Sequence, residues 1–94
     1  MANYYAMMLN FAGAPSEFHP KIEAALNPVA SDWLRFGNYQ YLVASHLSAE
    51  QVYVTVKPAI PSGGYIIVVK LNISDRSGWA TQMVIDWFNR QDRS

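Results

Sequence analysis

The stretch Gly63-Gly64-Tyr65-Ile66-Ile67-Val68-Val69-Lys70-Leu71 decides how this chain is read. Two glycines give the backbone the freedom for a tight turn. The residues after them are almost all β-branched, aromatic or aliphatic, the side chains that favour an extended, packed strand. The run is far too short to span a membrane and too regular for a loop. It predicts a strand buried on most of its surface, with the rest of the chain laid out as its cover.

Working outward, Asn3 to Phe11 (NYYAMMLNF) is apolar and aromatic up to Asn10 and predicts a first, interior strand in which Met7 and Met8 fill core gaps. Ala12 to Ser16 is a loop by its small residues, Gly and Pro. From about Pro20 to Leu26 the period is helical, with Ile22, Ala25 and Leu26 on one face, Phe18 packing at the start and Pro20 in the first turn. Asn27-Pro28 stops that helix, because the residue before proline is disfavoured in the α region.

Trp33 to Phe36 and Tyr39 to Ser45 flank the turn signal Gly37-Asn38 and predict a hairpin, with Tyr39, Tyr41 and Val43 on one face. Ser48-Ala49-Glu50-Gln51 is a capping box. The residues after it carry two patterns at once. Val52, Val54 and Val56 alternate as in a strand, whereas Val52, Val56, Ala59 and Ile60 mark one helical face. The cap, and the need for a crossover before Tyr65, decide for a helix from Ala49 to about Lys57, its end distorted by Pro58. Asn72 to Gly78 is polar and loop-like. Trp79 to Phe88 is amphipathic at helical spacing, and Gln91 to Ser94 is expected to fray.

The order strand, helix, strand, strand, helix, strand, helix predicts an α+β domain over residues 1–94. It is a ferredoxin-like βαββαβ sandwich with an additional C-terminal helix. The first and last strands, being the most apolar, are placed inside the sheet. One sheet face is left for the terminal helix, a partner subunit or a ligand to cover.

Composition narrows the function classes. Hydrophobic residues make up 51% of the chain, which excludes disorder, and the absence of cysteine excludes disulfide scaffolds and thiolate metal sites. No window reaches the length of a membrane helix and the first ten residues lack a secretion pattern, so a soluble cytoplasmic protein is expected. Seven basic residues balance seven acidic ones. That neutrality disfavours a dedicated nucleic-acid binder and removes one barrier to self-association.

No motif carries catalysis. The serines at 31, 45, 48 and 62 are read as turn and cap residues, no nucleophile elbow is present, and Gly63-Gly64 lacks the Lys-Ser/Thr of a phosphate loop. His19 and His46 are placed apart from each other and from carboxylates, and neither a cofactor nor a metal is expected. Arg35, Lys70, Arg76, Arg90 and Arg93 are the material for an anion-binding surface, but aspartates interleave with the last three, the pattern of a solvated face. Tyr4, Tyr5, Tyr39 and Tyr41 offer rings for stacking on bases or for an interface, and the interface reading is preferred. Thirteen aromatics in so short a chain, Trp79, Trp87 and Phe88 among them, lead to the expectation of a homodimer.

Several segments together resemble the small CRISPR-associated adaptation proteins and their SinR-like relatives. They are Leu9-Asn10 ending the first strand, Pro20 opening a helix, Trp33 before a hairpin, Tyr41-Leu42-Val43 and Ser48-Ala49-Glu50. Tyr65 to Val69 and Gly78-Trp79-Ala80 with Asp86-Trp87-Phe88 complete the set. The resemblance implies a ferredoxin-like homodimer that serves as a scaffold for duplex DNA, and in some members a metal-dependent nuclease with an aspartate ending the first strand. Asn10 stands at that position. An amide is a poor ligand for a hard divalent cation, so nuclease activity of that type is not expected. The preferred reading is a non-catalytic, dimeric protein-interaction module, an accessory or inhibitor-like protein. The alternative is a nucleic-acid scaffold or a degenerate nuclease.

Overall fold

The computed structural model describes residues 2–93. The chain runs β1 (Asn3–Asn10), α1 (Pro15–Leu26), β2 (Ala30–Gly37), β3 (Gln40–Ser45), α2 (Ala49–Val56), β4 (Tyr65–Leu71) and α3 (Gln82–Asp92), with a 3-10 turn over Lys57–Ala59 between α2 and β4. The class is α+β, with one antiparallel sheet in the order β2-β3-β1-β4 and three helices.

The two-residue period of the strands sorts side chains onto the two faces. Tyr5, Met7 and Leu9 of β1 and Tyr41 and Val43 of β3 turn to one face. There they close a core with Ile22 and Leu26 of α1 and Val52 and Val56 of α2. Ile66 and Val68 of β4 flank the same core. The alternate residues turn the other way, and Leu42 and Ala44 form a second, smaller core with Trp87 of α3, edged by Tyr4, Leu34, Leu71 and Phe88.

The helix chosen after Ser48 is present. Gln51 N donates to Ser48 Oγ at 3.2 Å and Ser48 N donates to Gln51 Oε1 at 2.9 Å, the reciprocal pair of a capping box. Pro58 falls in the 3-10 turn that ends this element. The turn into β4 is also as expected. Gly63 has φ +83, Gly64 N donates to Pro61 O at 2.9 Å, and a Cβ on Gly64 would lie 2.6 Å from Ile60 Cγ2 and 3.0 Å from Pro61 O.

The structure corrects several expectations. β4 is not interior: it pairs with β1 alone and forms an edge, and Tyr65, Ile67 and Val69 are exposed. A continuous apolar run does not distinguish a strand flanked on both sides from an edge strand covered on one face only. Met8 is likewise exposed, because the odd residues of β1 take the core side. α1 begins at Pro15, not Pro20, so Pro20 lies in its interior and leaves Ser16 O without a helical donor. Asn27 stays in the αR region at φ −51, ψ −43, although it precedes Pro28. β2 is longer than the Trp33–Phe36 segment predicts.

Trp79 precedes α3, which starts after Thr81, where the backbone is extended. Gln91 does not fray: it is buried, and its side chain bonds Asp32, whereas Ser94 lies outside the described residues. Ser31 and Ser45 are strand residues. Ser45 Oγ donates to Val29 O at 2.6 Å and Ser31 Oγ to Ala44 O at 3.2 Å.

These contacts set two opposite stability changes. Gly64→Ala is expected to lower stability by about 1–3 kcal/mol, since the new methyl meets a backbone oxygen as well as Ile60. Pro20→Ala restores a helical N–H and is expected to raise stability by about 1–2 kcal/mol. Urea denaturation checks both, as midpoint shifts at unchanged slope.

Candidate interaction surface

The second face of the sheet is only partly roofed. α3 lies across the end that carries Asp32, Ala44, Tyr4 and Leu71. It is fixed there by Asp32 Oδ2, which accepts from Gln91 Nε2 at 2.7 Å and Arg90 Nη2 at 3.0 Å. The Tyr4 hydroxyl adds a longer bond to Gln91 O. Trp87 packs beneath the helix at 2% exposure, and its buried Nε1 has no hydrogen-bond partner among the described residues.

The other end of this face has no roof. Strand register puts Gln40 beside Met8 and Met8 beside Ile67. Val69 lies beside Ala6 and Tyr65 beside Asn10, all on the face that α3 leaves open. Met8 is 43% exposed, Ile67 59% and Tyr65 71%. At the β2 end of this row Phe36 is half-exposed and lines a groove of about 480 Å³ with Trp79, Val84, Ile85 and Phe88. Trp79, at 97% exposure, is held by almost nothing in its own chain. The surface is apolar and, apart from Arg76 at the groove's rim, uncharged. A contiguous patch of this kind is the usual mark of a contact site.

The residues singled out from sequence are only partly brought together here. Tyr41 and Trp87 are corrections: both lie inside the chain's own cores, at 1% and 2% exposure, and cannot reach a partner. Helical spacing and strand alternation show that such residues face something, not whether it belongs to the same chain. Tyr39 packs edge-on against Phe11 at 5.1 Å between ring centroids, and Tyr4 and Tyr5 bond backbone carbonyls, so the tyrosines form no stacking platform. Phe88 is half-buried against Trp87, and Trp79 stands on the surface.

Of the four arginines only Arg76 and Arg93 come together, lining a shallow pocket with Asn89 and Asp92. Arg35 is on the helix-covered face, bound to Glu23 of α1 at 3.2 Å. Arg76 pairs with Asp92 at 3.0 Å and bonds Asn89 and Ile73 O. Arg90 pairs with Asp32, and Arg93 bonds Asn89 O. Sequence reasoning missed Met8, Phe36, Tyr65, Ile67 and Val69 as surface residues. Lys70 is the one charged residue in β4, and the rest of that strand carries no polar alternation that would mark which of its faces meets water.

One polar cluster gathers groups with chemical potential. The Tyr41 hydroxyl donates to Glu23 Oε2 at 2.9 Å, and Arg35 Nη1 donates to the same oxygen and to His19 Nδ1 at 2.7 Å. His19 Nε2 donates to Asn38 O at 2.8 Å. Each donor therefore has an acceptor. His19 is 7% exposed. Burial and the neighbouring Glu23 carboxylate raise the Tyr41 phenol well above the ordinary tyrosine range, so it stays protonated. The cluster ties α1 to β2 and β3. Among the described residues no three of His, Asp and Glu come together as metal ligands, and Asn10 is exposed beside Tyr65.

The sign of the Tyr41 effect follows from linkage. A folded phenol that ionises above the unfolded value of about 10 contributes stability that is full below that pH and is lost as pH rises beyond it. Tyr41→Phe is therefore expected to cost about 1–2 kcal/mol at neutral pH, through loss of a bond to a charged acceptor. It should also flatten the fall in stability above pH ~10. Urea midpoints measured between neutral and alkaline pH check both effects.

Set against family models, curated proteins and solved structures, the chain finds no match in any of the three, and the adaptation-protein resemblance has no counterpart there.

Proposed function

We propose that this chain is a non-catalytic, dimeric protein-interaction module. In this reading the strand and helix order β1-α1-β2-β3-α2-β4, with the sheet order β2-β3-β1-β4, is a ferredoxin-like sandwich carrying one extra helix. The observation that carries the function is the bare, uncharged apolar end of the sheet around Met8, Tyr65, Ile67 and Val69. Water contact with such a surface is unfavourable by roughly 25 cal/mol per Å² that another chain could cover. A net charge of zero imposes no repulsion between copies.

The nucleic-acid reading draws less support. Phosphate binding takes its strength from cations that release counterions, and Arg35, Arg76 and Arg90 are already bound to carboxylates of the same chain. Arg35 also lies on the opposite side of the sheet from Arg76 and Arg90, which are on or beside α3.

Multi-angle light scattering behind size exclusion tests the association. The expected mass rises with concentration from that of one 10.6 kDa chain toward twice that value. Ile67→Glu is expected to hold the mass at one chain with unchanged circular dichroism, because the side chain is exposed. A concentration-independent mass of one chain for the unmodified protein would sink the proposal. In a duplex-DNA titration no binding is expected at physiological salt. Micromolar binding with a steep salt slope, weakened by Arg90→Glu, would reverse the preference.

A further inference from the structure

Self-association has a specific place to occur, and the two edges of the sheet identify it. β2 and β4 each pair on one side only, so each presents a row of backbone N–H and C=O groups at its margin. Such a row is a template for another strand unless it is blunted by bulges, charges or proline. β2 is blunted. Its register breaks between Ala30 and Asp32 and again between Arg35 and Gly37, and it carries both of those charged residues. β4 is not. Its register with β1 is unbroken from Leu71 to Tyr65, it contains no proline, and Lys70 is its one charge.

We propose that two copies join β4 to β4, antiparallel about a twofold axis at Val68, to form a single eight-stranded sheet. This rests on the dimeric reading above and adds to it the strand and the register. Val68 is the midpoint of Tyr65–Leu71. About that midpoint Ile67 of one copy faces Val69 of the other, Tyr65 faces Leu71, and Ile66 faces Lys70. No like charges meet, which matters because like charges directly opposite destabilise a ladder.

The strand is thus complementary to itself, and this selects a second copy over a foreign peptide. The β4 side chains on this face are apolar throughout, Tyr65, Ile67 and Val69 in the open and Leu71 at the end that α3 covers. In this pairing the bare end of each copy lies diagonally across the seam from the other, beside the end that α3 covers in its partner, with Met8 of each copy on the next strand in. The β4 edge closes on itself and stops there, since the remaining margins are the blunted β2 strands. The result is a closed dimer and not a fibre.

The described chain lacks cysteine, so an introduced thiol reports on one position. Ile67→Cys and Val69→Cys proteins are mixed in equal amounts and equilibrated in a glutathione redox buffer. The proposed register places residue 67 opposite residue 69 of the other copy, within disulfide reach, and sets identical positions on a diagonal outside it. The mixed disulfide is expected to exceed either same-site disulfide by roughly tenfold or more. A statistical mixture, or an excess of the 67–67 product, overturns the register.

Hydrogen exchange on the unmodified chain gives an independent reading. The β4 amides should exchange more slowly as concentration rises, while β2 amides at the opposite margin do not change. Exchange of β4 that is independent of concentration overturns the edge pairing. Light scattering on the same samples separates the two ideas. A dimer mass without β4 protection removes the edge and leaves association standing, and a one-chain mass removes both.

Discussion

A four-stranded sheet has two faces, and this chain carries enough helix to cover one of them and part of the other. α1 and α2 take the face built from Tyr5, Met7, Leu9, Tyr41 and Val43, where the larger core forms. What remains is α3, eleven residues long, and its position is set by one carboxylate. Asp32 receives both Gln91 and Arg90, and those bonds draw the helix over Ala44 and Tyr4 and away from Met8 and Ile67. Burial of Trp87 under it contributes on the order of 2–3 kcal/mol, reduced by the cost of leaving the indole N–H without an acceptor. Because α3 covers that end, β3 is buried on both faces, and the end toward Tyr65 and Asn10 is bare.

Much of this arrangement is written in the local chemistry of the chain. The strand and helix order, the capping box at Ser48 and Gln51, and the glycine turn before Tyr65 are local features, each set by residues within a few positions of one another. They are legible for that reason. The placement of β4 at the margin is not local. Val68 and Ile67 look alike in sequence, yet one faces the core below α2 and the other faces water. Only the partner strands distinguish them. Pro20 misled because the rule that favours proline in a first turn applies equally to Pro15, five residues earlier, where the helix in fact begins. Trp87 and Trp79 are separated by eight positions and have opposite fates. The extended backbone at Thr81 puts Trp79 outside the helix that buries Trp87.

The candidate site was less legible than the fold, and the reason is the same. Aromatic count correctly marks an excess of apolar surface but does not locate it, since Tyr41 and Trp87 vanish into the chain's own cores while Met8 and Val69 emerge. Charge is the reverse case. The interleaving of arginine with aspartate along the last third of the chain already indicates pairing. Arg76 with Asp92 realises it, whereas Arg90 takes a partner that the interleaving does not show, Asp32 of β2 across 58 positions. Exposed pairs like these add little to stability, but they shorten the reach of the chain's electric field. Long-range steering of a charged ligand is therefore weak here. Under the proposed function, recognition at the bare end would rest on shape and backbone pairing.

Asn10 bears on whether the bare end can be covered. It sits opposite Tyr65 at the corner of the bare end, exposed and at the last position of β1. A carboxylate there would supply a ligand for a hard cation, and it would also place a charge at the margin of an otherwise neutral apolar surface. Covering that margin with a second chain would then require desolvating the charge, at a cost of several kcal/mol unless it were paired. The amide avoids this cost, since it can exchange water for a backbone partner. The amide at this corner is thus a poor ligand for a hard cation and also keeps the surface compatible with burial.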